Sequence, residues 1–148
     1  SDLQLSIFKK NLDLENIESF GGNLWRDKDL EYMEQLSKKP KNGKAAILDA
    51  DFWIKGKNVA VQFCERYQIA YDLIPKQEYY SSLDSLSNYS IYALSRVTVE
   101  AKMMNLAVIT NEFTGAYFED FYKDSGTKLI NQMYGKKEEI IKIVEDLI

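Results

Sequence analysis

The sequence predicts an α/β domain: a Rossmann-like parallel sheet of about five strands with helices on both faces. Two observations carry that expectation. Five short apolar runs, at 17–20, 45–48, 70–74, 90–93 and 107–110, alternate with segments of helical period, which is the pattern of repeated βαβ units. Most of these runs give way to polar, proline or glycine-containing turns, among them Gly21-Gly22, Asp49-Ala50-Asp51, Pro75 and the loop reaching Thr114-Gly115. In open sheets of this kind ligands bind beyond the carboxyl ends of the strands.

The elements follow in order. Residues 1–16 read as an N-terminal arm or short helix, with Leu5, Phe8 and Leu12 near helical spacing; residues 17–148 read as the domain. The run at 17–20 is a first strand closed by its two glycines. Residues 27–38 place Leu30, Met33 and Leu36 on one helical stripe, with acids early and Lys38-Lys39 late, as the helix dipole favours. Ala45-Ala46-Ile47-Leu48 is a continuous apolar run, the mark of a strand covered on both faces. After the loop holding Lys55-Gly56, the residues Val59, Ala60, Phe63, Cys64 and Tyr67 line a helix, and 70–74 is the next strand. Tyr79, Leu83 and Leu86 give another helix, followed by a strand at 90–93. A helix opening at Ser95 and closing near Asn105 leads to a short buried strand at 107–110. Two helical pieces, 128–133 and 136–148, end the chain, the last amphipathic through Ile140, Ile141, Val144 and Leu147 and expected to lie across the sheet.

Composition narrows the chemistry. A chain of 148 residues fits one domain that buries roughly 70% of its unfolded surface. The net charge of -4, with no basic block, argues against nucleic acid as a partner. The chain contains no histidine, so imidazole bases and histidine metal sites are excluded, and carboxylates, lysine, tyrosine and backbone groups must do the work. The single Cys64 reads as a buried structural thiol, and with no apolar run near the roughly 18 residues of a membrane span, a cytoplasmic setting is expected.

The stretch from Leu94 to Ala116 organises the rest. Arg96 stands in the first turn of its helix, where free N–H groups favour an anion, and Glu100 follows one turn later at the edge of an apolar face formed with Val97, Met103 and Met104. These two can be a surface ion pair. Alternatively, a carboxylate so placed needs hydrogen-bond donors, and vicinal sugar hydroxyls supply them.

Arg96-Val97-Thr98-Val99-Glu100-Ala101, then Leu106-Ala107-Val108-Ile109, then Gly115-Ala116-Tyr117-Phe118-Glu119 together resemble the C-terminal, nucleotide-sugar-binding domain of GT-B retaining glycosyltransferases, of the family 4-like group. Asp51-Phe52-Trp53-Ile54-Lys55-Gly56 is similar to that family's Lys-Gly loop, in the same order along the chain. The resemblance implies that Lys55 neutralises a donor diphosphate, Glu100 accepts from the ribose hydroxyls, Gly115 and Ala116 bring backbone N–H groups to the phosphate or sugar, and Ile74 faces the base. It implies no cofactor and no metal, and a partner: an N-terminal GT-B domain or a second chain bearing the acceptor site. Two positions depart from the family. Tyr92 stands eight residues before Glu100, where a second Glu is usual, and Ala50 stands five before Lys55, where an Arg is common; Arg96 is the available substitute for that charge.

Two other readings use different residues. Asp49 and Asp51, with Glu112 or Asp120, could hold Mg²⁺ in a nuclease or phosphatase, and a Rossmann-like domain can serve as a non-catalytic interaction module. Trp25 and Trp53 read as core or interface groups, and the pair Tyr79-Tyr80 as core or base-stacking groups.

Overall fold

The computed structural model describes residues 2–12, 24–50, 56–93, 97–109 and 123–146. Helix α1 (Asp2–Leu12) comes first, then α2 (Asp27–Ser37), β1 (Ala45–Asp49), α3 (Lys57–Arg66), β2 (Tyr71–Pro75), α4 (Tyr79–Leu86), β3 (Ile91–Ala93), α5 (Thr98–Met103), β4 (Ala107–Ile109) and α6 (Gly126–Asp146). The four strands form one parallel sheet in the order β2-β1-β3-β4. The strand expected at 17–20 lies outside the described residues, so the sheet has four strands among them.

The strand order explains where the helices go. The chain steps from β1 outward to β2, then reverses, crossing β1 to reach β3 and continuing to β4. Crossovers between parallel strands share one hand, so a reversal of direction sends the connecting helices to opposite faces. Accordingly Ala60 and Cys64, one turn apart on α3, pack with Ala45 and Ile47 on one face. On the other face α2, α4, α5 and α6 enclose the larger core of Leu30, Met33, Leu83, Tyr92, Met103, Leu129 and Ile130 around Ala46. The continuous apolar run of β1 serves both: Ala45, Ala46 and Ile47 are all buried. Cys64 is buried as expected, and burial pushes its thiol pKa up.

Of the five described residues with positive φ, two sit at helix ends that bear on the site. Gly56, at φ 68°, is the N-cap of α3, a conformation glycine adopts without cost. Asn105, at φ 64°, turns the chain out of α5 toward β4, and asparagine is among the few other residues that tolerate this region. Its side chain fills the space above Gly126, where an added Cβ would fall 2.4 Å from Asn105 Oδ1. The start of α6 is thereby seated against the exit of α5.

Four expectations need correction. Helix α5 opens at Thr98, with Val97 as its N-cap, and not at Ser95, so its first turn holds Glu100. Residues 126–146 form one helix, not two pieces, because Gly135 has open space around it and the apolar stripe of Leu129, Ile130 and Met133 already anchors that helix to α2 and α5. It is this first half that covers the core, while Ile141 and Val144 in the second half stay exposed. Strand β4 sits at the edge of the sheet, so it is only partly covered and Ala107 is exposed.

Candidate functional site at the carboxyl edge

Each helix after a strand runs back antiparallel to it, so the N-termini of α3, α4 and α5 gather at the carboxyl edge of the sheet. Helix α2 precedes β1 and ends near its start, which brings the N-terminus of α2 to the same edge. The N-cap residues there are Arg26, Gly56, Glu78 and Val97, and none provides a side-chain cap. Among the described residues the starts of α3 and α4 thus present backbone N–H groups without a capping side chain, the condition under which helix N-termini accept anions, whereas at the starts of α2 and α5 the backbone N–H groups of Arg26 and Glu100 meet the carboxylates of Asp29 and Glu100. The crevice between β1 and β3, where the helices leave for opposite faces, is the topological switch point at which doubly wound sheets bind ligands.

Glu100 lies in the first turn of α5 at this edge. It is half-buried, and Trp25 Nε1 donates to its Oε1 at 3.4 Å. Burial raises its pKa, opposed by its own backbone N–H and by the Trp25 indole. Tyr79, the first residue of α4, is pushed up to about 12, first by burial and then by the charge of Glu100. The carboxylate thus sits in a dry setting with an indole and a neutral phenol beside it. A carboxylate has roughly four lone-pair positions, so among the described residues its own backbone N–H and one long indole bond leave about half of its accepting capacity for hydroxyl donors.

Next to this group stands a tighter network. Arg26 grips Asp29 through two bonds, Nε to Oδ2 at 2.8 Å and Nη2 to Oδ1 at 3.1 Å. Tyr80 donates its hydroxyl to Asp29 Oδ1 at 2.5 Å and accepts from Arg26 Nη2 at 2.8 Å. Its ring meets Tyr32 and Tyr79 edge-on, with centroids 5.6 and 5.4 Å apart. The Arg26 guanidinium holds the Asp29 carboxyl down at about 2. A depressed carboxylate pKa contributes stability above the ordinary carboxylate range, lost as pH falls toward 2; with Arg26 62% exposed, water screens much of that contribution.

The other expected site residues distribute as follows. Ile74 is at the carboxyl end of β2, opposite Leu48 in register and packed against the same core face as Glu100's helix. Lys55, Arg96, Gly115 and Ala116 lie outside the described residues, as do Asp51, Glu112 and Asp120. Asp49, at the tip of β1, forms an ion pair with Lys57 in the first turn of α3. That pairing satisfies Asp49 with a cation and weighs against its use as a metal ligand. Among the described residues no group of three or more Cys, Asp or Glu side chains is placed to hold a metal ion, and no helix is long and apolar enough to cross a membrane.

Tyr92 requires a correction to the spacing comparison. It is 1% exposed in the interior of β3, beside Ala46 and Val108 in register. Because the connection from β3 to α5 is short, the position eight residues before Glu100 falls inside the strand and not in a loop. Tyr92 is therefore a core residue.

Sequence reasoning missed Trp25, Arg26, Asp29 and Tyr80 as members of this edge. The usable signal was the acidic first turn of α2, where Asp29 occupies a buried position. Its partner on α4 is 51 residues away, beyond the reach of any local pattern. No family model, no curated protein and no solved structure matches the chain.

Proposed function

We propose that the chain is the nucleotide-sugar-binding domain of a GT-B-type glycosyltransferase, moving a sugar from a nucleoside diphosphate donor to an acceptor held by an N-terminal domain or partner chain. The observation that carries this reading is Glu100: a half-buried carboxylate in the first turn of α5, beside the switch-point crevice, with accepting capacity to spare. A buried carboxylate keeps its charge only with donors around it, and vicinal ribose hydroxyls are donors of the right spacing. The parallel sheet, with helices on both faces, is compatible with such a domain.

In this reading Lys55 and Arg96 flank the diphosphate, Gly115 and Ala116 let backbone N–H groups approach it, and Ile74 packs toward the base. Breaking the bond from the anomeric carbon to the diphosphate builds negative charge on the leaving group. Cationic side chains and helix N-termini aimed at that group stabilise the transition state more than the ground state. The starts of α3 and α5 border the same crevice.

Calorimetry with uridine, guanosine and adenosine diphosphates tests the reading. One of them is expected to bind, and Lys55→Ala and Glu100→Ala should each weaken it by about tenfold or more, the loss associated with a charge-assisted hydrogen bond, while the fold stays intact by circular dichroism. If both variants bind like the parent, the residue assignment is wrong. Failure of all three nucleotides to bind would favour a non-catalytic interaction module.

A further inference from the structure

Given a nucleoside diphosphate donor at this edge, we propose that Trp25 is a positioning residue that fixes the carboxylate of Glu100 for the ribose hydroxyls. Trp25 lies outside the stretch that carries the family resemblance, which begins at Ala45. It arrives from the segment just before α2, half-buried against the core formed by α2, α4, α5 and α6. Its indole is a donor only, and that donor points to Glu100 Oε1 across 75 residues of sequence.

The physical case concerns a soft torsion. The terminal torsion of a glutamate is broad, so a carboxylate without a fixed partner samples many planes and must be ordered when ligand binds. One indole bond to Oε1 restricts that plane in advance. With the residue's own backbone N–H as a second donor, about two of the four lone-pair positions of the carboxylate remain to accept neighbouring hydroxyls, and the ordering cost of binding falls. The hydroxyl of Tyr79, on the flank of the same carboxylate, is a second acceptor for the Trp25 N–H, so the indole is held between Tyr79 and Glu100. A packing role alone requires the ring of Trp25 and not its N–H, which is what separates the two explanations.

Two measurements test this. Without any nucleotide, the Trp25 indole proton in a ¹H–¹⁵N spectrum should move upfield in Glu100→Ala; an unmoved Trp25 resonance means the bond is absent and overturns the proposal. This arm needs no substitution at Trp25. With the nucleoside diphosphate that binds the parent, Trp25→Phe, which keeps an aromatic ring but removes the N–H and part of the indole's volume, should weaken binding by about tenfold. The 2′,3′-dideoxy form of the same nucleotide should lose less than about twofold, and Trp25→Phe should cost nothing further on top of Glu100→Ala. Equal weakening of both forms, or full additivity with Glu100→Ala, makes Trp25 a packing residue and overturns the proposal. If the Trp25 resonance responds to Glu100→Ala but no nucleoside diphosphate binds the parent, it is the donor-site reading that fails, and the ribose role falls with it while the indole bond stands.

Discussion

The two edges of the sheet treat helix ends in opposite ways. At the amino edge the ends are sealed. Lys41 Nζ donates to the carbonyls of Ser87 at 2.6 Å and Met104 at 2.8 Å, the C-caps of α4 and α5, placing one cation at the negative ends of two helix dipoles. The same edge is tied by Asn42 N to Asn88 O at 2.8 Å and by Gly43 N to Ser90 Oγ at 2.9 Å. Just inside it, Asp72 accepts from both Lys44 and Tyr89. At the carboxyl edge no described N-cap residue caps its helix through its own side chain, and a half-buried carboxylate is held by its own backbone N–H and one long indole bond. The difference separates what holds the domain together from what is left free to meet a ligand.

The largest expected effect comes from imposing the family's spacing on this fold. Tyr92→Glu would put an unpaired carboxylate at a fully buried position of β3, at a cost of about 3–5 kcal/mol, and a urea titration should show most of the stability gone. If the variant keeps its stability, residue 92 is not in the core and the short connection from β3 to α5 has been misread. A smaller loss is expected at the sealed edge. Lys41→Met leaves two helix-terminal carbonyls without their cation and should cost about 1–3 kcal/mol, with nucleoside diphosphate affinity in calorimetry unchanged. A fall in affinity as large as the fall in stability would show that the two edges are not independent.

The smallest effect has the opposite sign. Burial raises the pKa of Glu100, so the folded state binds its proton more tightly than the unfolded chain does. A raised carboxylate pKa penalises folding above the ordinary carboxylate range, and the penalty is relieved as pH falls through that range. Glu100→Gln should therefore raise the thermal midpoint at pH 7 by about 2–4 °C, and the gain should vanish near pH 4. A midpoint that drops at pH 7 would place Glu100 among the structural carboxylates, with Asp29.

The elements legible in the sequence were those with a local signal. The apolar runs at 45–48, 70–74, 90–93 and 107–110 correspond to β1 to β4 within a residue at each end, most plainly at β1, whose first three residues are buried between helices on both faces. The stripes of α2 and α4 were equally plain, since Leu30, Met33 and Leu36, and Leu83 and Leu86, are the positions that bury. Strand order was not legible, because it depends on which way each crossover turns. Within the candidate site Glu100 could be picked out by its place at the rim of an apolar stripe. Its neighbours could not: Trp25 and Tyr79 reach it from two other helices' starts, and Arg26, Asp29 and Tyr80 form a network between elements that share no sequence period. That residue 92 lies inside a strand was hard to read for a related reason, since a count along the chain does not register that the connection from β3 to α5 is short.

The central place of β1 also bears on the order of assembly. Ala45 pairs with Tyr71 on one side and with Ile91 on the other, so joining β1 to β3 closes a loop nearly twice as long as joining β1 to β2. Each doubling of loop length costs about 0.6 kcal/mol of chain entropy, and that cost is reduced once α3 and β2 have folded back on β1. The β1–α3–β2 unit is thus expected to form first and to serve as the template on which β3 docks. The crevice between β1 and β3 has no existence in that first unit; it appears only when the second crossover is in place.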